Sequence, residues 1–265
     1  AEDGIRDVAV TGVQTCALPI WLREFEPHVA GIAGLHLPAT GIVSYDAVVR
    51  KLADIVTAAG ADIRLGVQVL RAANGVVHTT AGAFSTKMLI NCAGLHSDRV
   101  ARAAGANLAA TIVPFRGEYY SLRPEKTALV RSLIYPVPNP LFPFLGVHCT
   151  KMIDGTVHLG PNAVLAFARE GYTKSTINLR DMAETLTFPG FWKLASTHWR
   201  DGWDEVVRSF SRTAFVRSLQ RLVPAITEDD VIPCKAGVRA QALHPNGTLE
   251  DDFLIVQGPG AIHVC

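Results

Sequence analysis

The sequence predicts a mixed fold, an α/β part that leads into an α+β part, and three observations carry that prediction. From Lys87 to Gly105 the chain reads as strand, tight turn and helix. Met88 to Asn91 is a short apolar run bounded by polar residues, and Cys92-Ala93-Gly94 lets backbone approach a neighbour closely. Ser97 reads as an N-cap, Asp98 suits the first turn, and Gly105 is the stop. Upstream, Asp46 to Ala59 has the apolar spacing of an amphipathic helix. Downstream, short runs broken by Pro, Gly and Asp-Gly read as antiparallel strands. A strand-turn-helix corner is where an open α/β sheet receives a nucleotide, although many such corners only pack.

In chain order, residues 1–20 fit poorly with the pattern that begins at Trp21. The run Asp7 to Ile20 resembles a translated sequencing-adapter read, so 1–20 is taken as a non-native or unstructured leader; the alternative is an ordinary strand and loop. Leu22 to Val29 reads as a short helix ending at Pro27, and Pro38-Ala-Thr-Gly41 as a turn. The helix over 46–59 places Val48, Val49, Leu52, Ile55 and Val56 on one face and ends at Gly60. Ile63 to Leu65 and Val67 to Arg71 are strand-like, and Asn74-Gly75 turns the second into Val76–Thr80 as a hairpin. After Gly105, strands are expected over Thr111–Leu122, Leu129–Pro136, Gly146–Met152 and Thr156–Gly160. Helices come next over Leu179–Leu186, Phe188–Trp199 and Trp203–Leu222, with large aromatics that would cover one sheet face. Val238–Leu243, a turn at Asn246-Gly247, Phe253–Gln257 and Ile262–Val264 finish the chain as strands. The change of pattern after Gly105 suggests a second domain of α+β type.

The totals exclude several function classes. A net charge of +1 over 265 residues gives no reason to expect nucleic acid or an anionic membrane as partner. The apolar fraction of 49% supports a sizeable core, yet no apolar run approaches the ~20 residues of a bilayer span. Cys16, Cys92, Cys149, Cys234 and Cys265 lack CxxC spacing, so neither a disulfide framework nor a zinc site is expected, and a reducing compartment fits. No His, Cys and carboxylate grouping has metal spacing.

Eight stretches in order carry a family resemblance. They are Pro38-Ala-Thr-Gly-Ile-Val-Ser-Tyr45, Asn91-Cys-Ala-Gly-Leu-His-Ser-Asp-Arg99, Val113-Pro-Phe-Arg-Gly-Glu-Tyr-Tyr120, Tyr135-Pro-Val-Pro138, Phe142-Pro-Phe-Leu-Gly-Val-His148, Gly160-Pro-Asn-Ala-Val-Leu-Ala166, Ala236-Gly-Val-Arg-Ala-Gln241 and Asp251-Asp-Phe-Leu-Ile-Val-Gln-Gly-Pro-Gly260. From Trp21 to Val264 the chain resembles the FAD-dependent D-amino-acid-oxidase-like superfamily and, within it, the L-2-hydroxyglutarate dehydrogenase (or oxidase) family. The resemblance implies a Rossmann-like FAD domain, here incomplete, interleaved with an antiparallel-sheet substrate domain: 21–109 as the partial FAD-binding domain with interleaved substrate-domain elements, 110–235 as the substrate domain, and 236–265 as a truncated return to the FAD-binding domain. The family's Gly-x-Gly-x-x-Gly loop, which holds the FAD pyrophosphate, has no counterpart, because Gly4 and Gly12 lack the spacing. The flavin-contacting segment expected beyond Val264 is likewise missing, so the resemblance implies an FAD enzyme truncated at both ends that holds FAD poorly or not at all.

The implied reaction is oxidation of L-2-hydroxyglutarate to 2-oxoglutarate by hydride transfer to flavin, with electrons passed to a quinone or to oxygen. A cytoplasmic location, with peripheral contact to the inner membrane, would suit a quinone acceptor. A dicarboxylate substrate calls for arginine, whose planar fork matches a carboxylate. Arg239 occupies the place of a substrate- or flavin-proximal arginine in the superfamily; the alternative is an ion pair with Asp251 or Asp252. Arg116 sits in an apolar-aromatic strand and needs a partner or a cavity, with Glu118 as the bland alternative. Tyr119 and Tyr120 alternate, so one faces the site and the other the core. His148 is the candidate general base, against a structural reading of a lone strand histidine. His96 contacts cofactor or caps a helix, and His36, His78, His158, His198, His244 and His263 have no constellation. Val69, Cys92, Ala93, Gly94, Gly258 and Gly260 are the implied cofactor contacts, each equally readable as strand-end packing. Two other readings stay open: an amino-acid or amine oxidase on the same scaffold, and a folded remnant without turnover.

Overall fold

A computed structural model describes residues 15–17, 19–137, 146–258 and 260–265, with side chains from Leu22 onward. Most of the expected leader (1–14 and 18), Pro138, the Phe142–Leu145 part of one family stretch, and Pro259 lie outside the described residues.

The described elements run in order β1 (Thr15–Ala17), α1 (Pro19–Phe25), β2 (Gly34–His36), α2 (Tyr45–Ala58), β3 (Val69–Ala73), β4 (Val76–Thr79), β5 (Gly82–Ser85) and β6 (Leu89–Asn91). Then come α3 (Ser97–Ala103), β7 (Thr111–Gly117), β8 (Tyr120–Leu122), β9 (Leu133–Ile134), β10 (His148–Lys151), β11 (Val157–Gly160) and β12 (Val164–Leu165). The chain closes with α4 (Leu179–Thr187), α5 (Pro189–Thr197), α6 (Trp199–Phe210), α7 (Arg212–Gln220), β13 (Val231–Pro233), β14 (Gly237–Leu243), β15 (Ile255–Gly258) and β16 (Ala261–Val264). Mixed α/β structure with antiparallel sheets is what the sequence predicts. Contacts divide it into two compact units, residues 1–59, 118–162 and 206–235, and residues 60–117, 163–205 and 236–265.

The first unit is built on a five-stranded antiparallel sheet in the order β13-β8-β11-β10-β9. One face carries Leu122, Cys149, Val157, Leu159 and Val231, and α7 lays Phe215, Val216 and Leu219 on it. Helix α7 exists apart from α6 because Ser211 caps it: its Oγ accepts the Ala214 N–H at 3.2 Å. The single helix expected over Trp203–Leu222 is therefore two. Glu26, buried just past α1, accepts from the Arg131 and Ser132 N–H groups and the Ser132 hydroxyl, which ties that segment to the sheet edge. Helix α2 begins at its Ser44 cap as its sequence demands, but none of its residues is buried, so its apolar stripe faces no core among the described residues.

The second unit holds three small sheets, β12-β7-β14, β15-β16-β6 and β3-β4-β5. The last is the expected hairpin, turned at Asn74 and Gly75, which both take positive φ, and extended by one strand. Ile63 to Leu65 forms no strand. Thr111 to Leu122 is not one strand either: β7 stops at Gly117 and β8 belongs to the other unit's sheet. Strands β6 and β16 are parallel, and α3 packs on both and on β3. Ser97 does not cap α3. It is the first helical residue, its buried hydroxyl meets no partner among the described residues, and His96 stands at the cap position without a side-chain capping bond. What anchors α3 is Asp98, fully buried. Its carboxylate accepts from the Arg99 and Ile112 N–H groups, from Arg102 at 3.0 Å and from both terminal guanidinium nitrogens of buried Arg169. Burial by itself would raise the Asp98 pKa; the Arg169 contacts, the Ile112 N–H and Arg102 overcome it and hold the carboxyl below its usual range. Of the large aromatics expected to cover a sheet face, Phe215 does so in the first unit, while Trp192, Trp199 and Trp203 are exposed.

Candidate active site

The first unit's sheet has a second face, and it is polar. Strand pairing sets Thr150 opposite His158, His158 opposite Ser121, and Ser121 opposite Ile232. Directly opposed residues share a face, so His148, two residues before Thr150, projects with them. Tyr119, two before Ser121, joins them, with its ring 6.4 Å from that of His158. Tyr120 turns to the core, 4.7 Å from the Phe215 ring. His158 in turn meets Cys234 Sγ at 3.9 Å.

His148 is held in a defined state. Its Nδ1 lies 3.0 Å from the Gly146 carbonyl oxygen, which can only accept, so Nδ1 carries the proton and Nε2 keeps its lone pair. Burial pushes its pKa down, with the Gly146 contact pulling weakly the other way, and the ring is neutral near pH 7. Tyr135 stacks on it at 4.1 Å between centroids, and the Tyr135 hydroxyl reaches Thr150 Oγ1 at 3.5 Å. Opposite His148 in the ladder is Gly160, at φ 133°. A Cβ there would sit 2.8 Å from the Glu118 oxygen and 3.2 Å from the Tyr119 ring, so only glycine leaves the tyrosine its place. Sequence reading had set His158 aside as a lone histidine and missed Tyr135 and Cys234. His158 and Tyr135 reach this face from β11 and the end of β9, the chain neighbours of β10, whereas Cys234 comes from beyond β13, which pairs with β8 far upstream.

Arg116 and Arg239 lie in the second unit on the paired strands β7 and β14, but register separates them. Arg116 stands opposite Val238, and Arg239 opposite Phe115, so the two guanidinium groups project from opposite faces of one ribbon. Arg116 is buried and donates to the Thr173 carbonyl at 3.1 Å; Arg239 is exposed. One clamp built from both side chains is excluded on this ribbon.

The implied cofactor contacts fall into three places. Cys92, Ala93 and Gly94 lie just after β6 at its carboxyl end and are exposed. Gly94 has φ 54°, and a Cβ on it would meet nothing within 4 Å. This open, small-residue turn at the carboxyl end of a parallel strand fits the approach of a dinucleotide such as FAD. Asn91 shapes it: its Oδ1 accepts the Ala93 N–H at 3.1 Å while its Nδ2 donates to the Ser97 carbonyl at 2.7 Å. Gly258 and Gly260 sit elsewhere. They flank the β15–β16 turn at the amino end of β16, where the Leu89 N–H donates to the Gly260 carbonyl, so β6 separates them from Cys92. Val69 starts β3 opposite Thr79, beside a bulge. His96 does not cap a helix; its Nε2 meets Glu170 at 3.1 Å. Among the described residues no group of His, Cys, Asp and Glu is arranged to hold a metal ion.

The comparisons agree with this architecture. The family model described as FAD dependent oxidoreductase (DAO) matches residues 12–265. The L-2-hydroxyglutarate dehydrogenase of Indibacter alkaliphilus is 51% identical over 248 residues, which is 92% of this chain and 62% of that protein. The Escherichia coli K12 protein of the same name is 43% identical over 92% of the chain and 59% of its own length. The chain thus spans about three-fifths of the length of the curated relatives it matches. Among solved structures, L-alpha-glycerophosphate oxidase from Mycoplasma pneumoniae with FAD bound superposes with a TM-score of 0.70 at 18% identity, covering 97% of this chain and 60% of that one. Glycine oxidase from Geobacillus kaustophilus gives 0.62 at 16%, covering 94% and 56%. These two likenesses concern the fold. By its matched family model and its relatives, the chain belongs to the FAD-dependent oxidoreductase family.

Proposed function

We propose that the protein oxidises L-2-hydroxyglutarate to 2-oxoglutarate with FAD, and passes the electrons on to a quinone or to oxygen. One observation carries the chemical part: His148 presents an unprotonated Nε2 on a polar sheet face shared with Tyr119 and His158. FAD supplies the hydride acceptor for the carbinol hydrogen. The chain's own residues do the rest. His148 Nε2 takes the hydroxyl proton as the carbonyl forms, a task suited to an imidazole whose pKa lies below neutral. The Tyr119 phenol orients the substrate from the same face. Arg239, exposed on its ribbon, binds a substrate carboxylate, while buried Arg116 braces the ribbon through Thr173. The small turn at Cys92, Ala93 and Gly94 receives the cofactor backbone.

The test is His148→Asn in the complete reading frame that contains this chain, assayed by dye reduction with L-2-hydroxyglutarate, glycine and proline. The expected result is activity on the hydroxy acid alone, with kcat lowered on the order of 10²–10⁴-fold by the substitution and FAD content unchanged. Turnover of an amino acid in preference would replace this reading with an amine oxidation, and an unaffected kcat would remove His148 from the reaction.

A further inference from the structure

His263 is a fully buried histidine on β16 that the reaction above does not use. It lies opposite Asn91 across the parallel β6–β16 pair, and its Nδ1 is 3.2 Å from Asn91 Nδ2. The polarity of that contact can be worked out. Backbone N–H groups only donate and carbonyls only accept, so the Ala93 N–H must meet the Asn91 oxygen and the Ser97 carbonyl must meet the Asn91 nitrogen. The amide is thereby fixed, and Nδ2 presents a hydrogen to His263. Nδ1 must accept it, and the ring's one proton resides on Nε2, which is buried and meets no partner among the described residues. Burial also pushes the His263 pKa down, in keeping with a neutral ring.

The two histidines are therefore opposite tautomers. His148 carries its proton on Nδ1, and His263 carries it on Nε2. A protonated Nδ1 on His263 would face the Asn91 NH₂ donor to donor and release the amide. Asn91 would then lose one of the contacts that aim its oxygen at the Ala93 N–H, the bond that shapes the exposed turn.

We propose that His263 is a positioning residue for the cofactor: locked as the Nε2–H tautomer, it holds Asn91, and Asn91 holds the turn at Cys92, Ala93 and Gly94 in the form that FAD approaches. The inference rests on the reading of that turn as a cofactor contact. Glutamine can replace the accepting nitrogen with its amide oxygen, whereas leucine fills the space without an acceptor.

The test has two readouts. Long-range ¹H–¹⁵N correlation on the labelled wild-type chain reports the tautomer, and an unprotonated Nδ1 is expected; a proton on Nδ1 at pH 7 overturns the proposal whatever the variants do. FAD titration by flavin fluorescence, in the complete reading frame, then compares wild type with His263→Leu and His263→Gln. Affinity should fall about tenfold in the leucine variant and return to near wild type in the glutamine variant. Equal affinity for all three overturns the positioning role alone. A wild-type protein that takes up no FAD removes the cofactor reading, and the positioning role with it, even where the tautomer is as expected.

Discussion

Replacing Asp98 by asparagine tests what holds the second unit together. The side chain keeps its shape but loses its charge, and it swaps an acceptor oxygen for an NH₂ group. In the native state the two carboxylate oxygens accept five N–H groups, three from guanidiniums and two from the backbone. Asparagine can serve only those on one side; on the other, donor faces donor. Arg169, also buried, keeps a contact to Glu184 at 3.2 Å but loses its main counter-ion. Breaking one partner out of a buried pair costs about 3–5 kcal/mol, and the remaining Glu184 contact puts the expected loss near the lower end, about 3 kcal/mol. Urea unfolding at pH 7 monitored by circular dichroism measures it. The same network predicts a pH dependence, because the Asp98, Asp181 and Glu184 carboxyls are all held below their usual values despite burial. Groups with a depressed folded-state pKa stabilise fully above the unfolded value, about pH 4, and lose that contribution as the pH falls through the folded value. Wild type should therefore lose stability below about pH 4 more steeply than Asp98→Asn. A variant within 1 kcal/mol of wild type at pH 7, on the order of a single ordinary hydrogen bond, would refute the reasoning.

The geometry carries three further expectations. Gly160→Ala must place a Cβ 2.8 Å from the Glu118 oxygen at φ 133°, so it should destabilise by about 2 kcal/mol and displace Tyr119, read as a lower thermal midpoint. The Cys149 thiol is pushed up to about 12, by burial first and then by the charge of Glu26; native protein at pH 8 should alkylate at exposed Cys92 and not at Cys149, as peptide mass spectrometry would show. Arg239→Met should raise KM for the hydroxy acid with the thermal midpoint kept, while Arg116→Met should lower the midpoint, because one side chain is exposed and the other buried.

Local chemistry was legible in the sequence, and register was not. The helix over 46–59, the Asn74-Gly75 hairpin and the Gly105 stop rest on residues a few positions apart, and each forms close to where expected. Alternation along a strand also separated Tyr119 from Tyr120 correctly. Arg116 is a candidate as a charge in an apolar-aromatic strand, and Arg239 by its place in the family resemblance. Whether they share a face depends on a pairing between segments more than a hundred residues apart, which no periodicity encodes. The same holds for Asn91 with His263. The Asp98–Arg169 pair was hidden for another reason: a charged residue at a helix start reads as a dipole partner on the surface, and only tertiary packing shows that it is buried. Thr111 to Leu122 reads as one strand because only Glu118 and Tyr119 separate β7 from β8, yet the chain changes sheets there.

The central claim is that a 2-hydroxy acid, and not an amine, gives its hydrogen to the flavin. Anaerobic mixing of the purified, flavin-loaded protein with L-2-hydroxyglutarate reads this directly through the visible flavin band. The account predicts bleaching with L-2-hydroxyglutarate and none with glycine or proline. Bleaching by an amino acid, with the hydroxy acid inert, would contradict it.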